Sequence, residues 1–265
     1  MEDIRPALEK IGAEFARLAQ NAPPDRDLYR CPLCRDAGYL LDGDRARPCS
    51  CRREALLREK KQAAGLTARL QTMTFDSFRL DPYPEYLQEE GRSYRAIATG
   101  AWQAGQQLAR ACAGREQSRG LLLQGEVGCG KTHLAAAAIN LTLELGGDAM
   151  FLVVPEFLDQ LRYSYRRENE GLDESELIAR TYKVPLLVLD DLGAHNYSEW
   201  VCNKLFTIVN HRYNRGLPCL ITSNLDLKQL DDTIGGRTAS RIVEMCRIFH
   251  ILVPKDQDHR LGLPV

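Results

Sequence analysis

Eight consecutive residues, Gly125-Glu126-Val127-Gly128-Cys129-Gly130-Lys131-Thr132, meet the spacing G-x-x-x-x-G-K-[ST] and restrict the fold more than any other stretch of the chain. Gly125, Gly128 and Gly130 can take dihedrals closed to other residues, which turns successive amide N–H groups toward one point and forms an anion nest. The apolar run Leu121-Leu122-Leu123 predicts a buried strand feeding the loop. The alanine-rich run from Lys131 to Leu145 predicts a helix whose N-terminus faces the anion. In such a nest Lys131 reaches the β- and γ-phosphates of ATP and the Thr132 hydroxyl ligates Mg²⁺, while Glu126, Val127, Cys129 and His133 complete the loop. The alternative is a glycine-rich turn that matches by chance. Cys129 sits at an unconstrained position, and His133 is expected to point outward.

A second motif, Pro185-Leu-Leu-Val-Leu-Asp190-Asp191, runs five positions without polar alternation into two carboxylates. Such a run suits a strand buried on both faces of a parallel sheet, and its C-terminal end is where open α/β sheets bind ligands. Asp190 is then placed to hold Mg²⁺, and Asp191 to orient or deprotonate the attacking water. A solvated Asp-Asp turn is the competing use. Further along, Cys219 to Ile221 predicts a short strand closed by Thr222-Ser223-Asn224. Asn224 either meets the γ-phosphate or lytic water, or caps the helical pattern Leu227 to Leu230. Arg237-Thr-Ala-Ser-Arg241 falls on a helical segment, and Phe249 to Val253 predicts a last strand. A guanidinium at 241 can fork onto phosphate oxygens; the other possibility is an exposed face where Arg237 and Arg241 pair with Glu244 or Asp232.

These residues, together with Val188-Leu-Asp-Asp-Leu-Gly-Ala194, Trp200, Asn210 to Tyr213, Ile221-Thr-Ser-Asn-Leu225 and Gly236-Arg-Thr-Ala-Ser-Arg-Ile242, resemble the AAA+ ATPases. Within them the likeness is to bacterial replicative helicase loaders of the DnaC/DnaI type and to IstB transposition ATPases, and it spans most of the chain. The resemblance implies a P-loop parallel-sheet core, ATP hydrolysis, Asn224 as the sensor-1 residue, and Arg241 as an arginine finger serving a neighbouring subunit of a homo-oligomer. It also implies a C-terminal sensor arginine at Arg260. Two departures stand out. Asp191 is one methylene shorter than the glutamate common at this place, which suits slow or partner-dependent turnover. About a dozen residues follow Val253, too few for the helical lid domain of many AAA+ modules.

Upstream, Cys31, Cys34, Cys49 and Cys51 form a C-x₂-C and a C-x-C pair about fourteen residues apart, with Gly38 and Gly43 between them. Four thiolates across a hairpin suit a closed structural Zn²⁺ site; disulfides and buried free cysteines are the alternatives. Ile4, Leu8, Ile11, Phe15 and Leu18 recur at helical spacing and need a partner, either the knuckle, the following helix from Arg52 to Ala64, or another protein. By resemblance that partner is a replicative helicase. The expected organisation is a helix plus zinc knuckle over 1–65, a linker over 66–90 and the ATPase domain over 91–265. In the linker, Phe75 and Phe78 either help hold adenine or pack.

The chain has 265 residues and a formal net charge of −1, which argues against a binder of nucleic acid driven by overall charge. A local exception is Arg162-Tyr163-Ser164-Tyr165-Arg166-Arg167, where the loaders carry a single-strand-binding helix. Arginine on phosphates and tyrosine on bases would hold single-stranded DNA without reading sequence. The acidic residues that follow at Glu168, Glu170, Asp173, Glu174 and Glu176 favour a solvated face instead. No run of eighteen apolar residues exists, so no membrane partner is expected, and a cytoplasmic location follows from the reducing chemistry.

Overall fold

The computed structural model describes residues 29–42, 45–166, 174–194 and 197–254. The amphipathic stretch Ile4 to Leu18, Arg167, His195 and Arg260 lie outside the described residues. The chain divides into two compact units, 1–56 and 57–265.

In the first unit, strands β1 (Tyr39–Asp42) and β2 (Arg45–Pro48) pair antiparallel, Tyr39 opposite Pro48. The buried thiols of Cys31, Cys34 and Cys49 form its small core, with Leu40 and Cys51 packed against them. Helix α1 (Ser50–Ala63) starts within the second cysteine pair.

The second unit is built on one five-stranded parallel sheet: β5 (Gly120–Gln124), β6 (Ala149–Val153), β7 (Leu186–Asp190), β8 (Cys219–Ser223) and β9 (Cys246–His250), in the order β6-β7-β8-β5-β9. β5, β7 and β8 are buried at every position, as strands covered by helices on both faces must be. Leu121, Leu122, Leu123 and Leu186 to Leu189 are 1% exposed or less, and each such leucine stabilises the fold by about 1.5–3 kcal/mol. The last strand begins three residues before the predicted Phe249–Val253 and ends three residues before it. Because β9 is an edge strand, its exposed Arg247 and His250 interrupt the apolar run that marks the inner strands.

Helix α3 (Tyr94–Gly114) starts at an N-cap, the Ser93 hydroxyl accepting from the Ala96 amide, and buries Ile97, Ala101, Ala104 and Leu108 at helical spacing. The small side chains Ala135 to Ala138 on α4 (Lys131–Glu144) are 1% exposed or less and leave room for close packing beside β5. Helix α2 (Ala68–Gln71) and the antiparallel pair β3 (Gln88–Glu89) and β4 (Arg92–Ser93) precede α3, and residues of the expected linker join the same core: Leu66, Leu70, Phe75, Phe78 and Tyr83 are all buried in it. α5 (Val154–Arg166) follows β6, α6 (Glu174–Lys183) precedes β7, and α7 (Glu199–Arg215) precedes β8. Between β8 and β9 come α8 (Leu227–Ile234) and α9 (Gly236–Met245). Among the described residues no helix follows β9, and none is long and apolar enough to cross a membrane.

Candidate functional site

At the C-terminal end of β5 the chain turns through the glycine loop with φ of +147° at Gly125, +81° at Gly128 and +87° at Gly130. At Gly125 a Cβ would lie 2.1 Å from the Ile251 carbonyl oxygen and 2.9 Å from Cys129 Sγ, and at Gly130 it would lie 2.7 Å from the Tyr83 hydroxyl. Neither position admits a side chain. The loop is also fastened from outside, since the Tyr83 hydroxyl donates to the Cys129 carbonyl at 2.9 Å and Tyr83 stacks on Phe78 at 5.8 Å.

Phe75 meets Trp102 edge-on, and the Trp102 indole N–H donates to the Phe75 carbonyl. Both phenylalanines therefore pack, Phe78 against the loop itself. His133 does not point outward as expected. It is half-buried edge-on to Phe78, with Nε2 2.9 Å from the Thr74 carbonyl, and burial pushes its pKa down. An aromatic neighbour more than fifty residues away in sequence is what draws it in. Cys129 is fully buried, and burial raises its thiol pKa, which removes the thiolate character an oxidant sensor needs.

Lys131 is only 7% exposed, and its Nζ donates to the carbonyls of Gly125 (2.8 Å) and Glu126 (2.7 Å) inside the loop. Next to it, the Thr132 hydroxyl donates to Asp190 at 3.1 Å. Asp190 stands at the end of β7, one strand removed from β5, and Thr222 on the intervening β8 bridges the gap by donating to Asp190 Oδ1 at 2.7 Å. Burial pushes the Asp190 carboxyl up, and the charge of Asp191 adds to that; the two threonine hydroxyls and Lys131 pull it back. The Thr132 hydroxyl beside the Asp190 carboxylate is an oxygen donor set that fits Mg²⁺.

Asp191 has φ +61°, its N–H donates to the Thr222 hydroxyl at 2.9 Å, and its Oδ1 accepts from the Asn224 side-chain amide at 3.1 Å. Asn224 is not a helix cap. That role belongs to Asp226, whose side chain accepts from the Gln229 amide while Gln229 answers the Asp226 N–H. Sequence reasoning overlooked Thr222, although a β-branched hydroxyl two residues before Asn224, at the tip of a buried strand, was visible.

Arg241 lies elsewhere. Its guanidinium donates to Asn210 Oδ1 (2.7 Å) and the Arg237 carbonyl (2.9 Å), and sits over the rings of Phe206 (4.9 Å) and Tyr213 (5.7 Å). The Tyr213 hydroxyl donates to Glu244, so the alternative in which Arg237 and Arg241 pair with Glu244 or Asp232 gives way to a cation–π arrangement on α7. Residues 162–166 of the expected DNA-binding stretch fall on α5.

In the first unit the sulfur atoms of Cys31, Cys34, Cys49 and Cys51 lie within 4.8 Å of one another, with Cys31–Cys49 at 3.7 Å and Cys34–Cys51 at 3.3 Å. A tetrahedral Zn²⁺ with bonds of about 2.3 Å separates its sulfurs by about 3.8 Å, so the cluster fits that ion. The main-chain N–H of Cys51 lowers the Cys49 thiol to about 7, while the hydrogen bond with Cys34 pushes the Cys51 thiol up, so the four sulfurs share their protons as one cluster. Freshly purified protein is expected to carry one zinc per chain, and a Cys34→Ser, Cys49→Ser double variant none; metal analysis finding the same content in both would remove the site.

The family described as "IstB-like ATP binding protein" matches residues 66–254. Over 255 residues the chain is 26% identical to the phage-like element PBSX protein XkdC of Bacillus subtilis (strain 168), covering 91% of this chain and 89% of that protein. It is 34% identical over 115 residues to the replicative helicase loader DnaI of the same organism, covering 43% of this chain and 36% of the loader. The crystal structure of the DnaC helicase loader superposes with a TM-score of 0.55 at 23% identity, over 70% of this chain and all of that one.

Proposed function

Because this chain belongs to the family of IstB-like ATP binding proteins and has the AAA+ fold of the DnaC loader, we propose that it is an ATP-dependent DNA replication factor. In this reading it loads or remodels a replicative helicase on single-stranded DNA, with ATP binding and hydrolysis as the switch. The observation that carries it is the convergence of Lys131, Thr132, Asp190, Asp191 and Asn224 on one edge of one sheet.

Lys131 and the loop N–H groups would hold the phosphates, and Thr132 and Asp190 would hold Mg²⁺, which when bound would supply positive charge against the charge developing in phosphoryl transfer. Asp191, steadied by Thr222 and Asn224, orients the water and takes its proton; the Asn224 amide also reads the γ-phosphate. Arg241, positioned against α7 by Asn210, Phe206 and Tyr213, is the residue proposed to complete the site of a neighbouring copy. The arginines and tyrosines of 162–167 are the proposed contacts to single strands, and Arg260 the sensor arginine.

The rival reading is a transposition helper with the same ATPase core. The cysteine knuckle, which resembles the N-terminal module of DnaI-type proteins, supports the loader. Phosphate release by the full chain should be slow alone and rise with single-stranded DNA and a replicative helicase. Turnover that needs a small acceptor would mean a kinase, and none under any condition a nucleotide-binding adaptor. Mixing Arg241→Ala with Lys131→Ala chains is expected to restore part of the turnover that each lacks. No recovery at any ratio counts against the shared site.

A further inference from the structure

The N-terminal ends of the parallel strands, opposite the glycine loop, hold a cavity of about 640 Å³. Pro185 and Pro218, which lead into β7 and β8, and Asp148, which leads into β6, line it. A sheet of five-residue strands puts this cavity roughly 17 Å from the nucleotide edge, so it is a separate place. Its volume falls within the roughly 300–1,000 Å³ of small-molecule sites.

The charge is one-sided. Lys60, Arg115, Arg180, Lys183 and Arg215 line the cavity, against the carboxylates of Glu116 and Asp148. Among the described residues Lys60, Arg115, Lys183 and Arg215 have no ion-pair partner. Each stands near the C-terminal end of a helix, where the carbonyl dipole favours a cation by no more than about 1 kcal/mol and so neutralises only part of the charge.

An independent observation comes from behind the cavity. Arg212 is fully buried, and its guanidinium hydrogen-bonds four main-chain carbonyls, two of them on the lining residues Pro185 and Pro218. Its Nε has no hydrogen-bond partner. A buried cation answered by carbonyls and the Cys219 thiol, with no carboxylate paired to it among the described residues, adds positive potential to the cavity from inside the protein. Apolar surface from Leu143 and Leu217 faces the same space.

We propose that this cavity is a second anion site that takes a phosphorylated ligand of nucleotide size, its phosphates on the basic rim and its apolar part against Leu143, Leu217 and the prolines. The test uses the full chain with Lys131→Ala, so that the glycine loop no longer competes, titrated calorimetrically with inorganic tripolyphosphate and separately with ATP. About one equivalent should bind, and adding Lys183→Ala and Arg215→Ala should weaken it about tenfold with the melting temperature kept. Glu116→Gln, which removes an opposing charge, should tighten it about twofold. No binding up to about 1 mM, or equal binding with and without Lys183 and Arg215, overturns the site. Binding of an oligothymidylate of about a dozen nucleotides, with none of either small probe, overturns it as well.

Discussion

Turnover of ATP by the full chain should fall about a hundredfold to a thousandfold when Lys131 is replaced by alanine. The ammonium is held inside the glycine loop by two carbonyls at 2.8 and 2.7 Å, which places its charge within the anion nest. Deleting it leaves the nest amides in place but removes the charge that crosses from ground state to transition state. Thermal stability should change little, because the lost hydrogen bonds are offset by no longer burying a cation. Phosphate release in magnesium buffer checks this, and wild-type turnover in the variant would mean that the triphosphate is not held at 125–132.

Arg212→Met is expected to destabilise the protein by about 3–5 kcal/mol, although the residue lies far from the glycine loop. One guanidinium joins the carbonyls of Thr181, Val184, Pro185 and Pro218, which belong to the end of α6 and to the entries of β7 and β8. Methionine fills much of the volume but leaves four buried carbonyls without a donor. Arg212→Lys should recover only part, since a lysine brings three donors from one point rather than a planar fork. Urea unfolding midpoints decide it, and a methionine variant within about 0.5 kcal/mol of wild type would show that the clamp carries no weight.

Much of the nucleotide edge was legible because its signals are local. Three buried leucines before a glycine loop, and five apolar positions before two aspartates, each state a strand and its tip within eight residues. What escaped notice depends on pairing across the sheet. Thr222 matters only because β8 lies between β5 and β7, an order no single segment contains. His133 turns inward because Phe78 waits there, and Arg212 drew no role of its own within the run Asn210 to Tyr213. Edge strand β9 was misplaced for the same reason: its exposed residues obey solvent rather than core.

The left-handed backbone of Asp191 restricts which side chains this position can carry. Short polar side chains tolerate that conformation better than most residues, which pay about 1–2 kcal/mol for it. The identity of the second acid is thus filtered by main-chain geometry before chemistry is consulted, and lengthening it to glutamate strains the turn that Thr222 and Asn224 now hold.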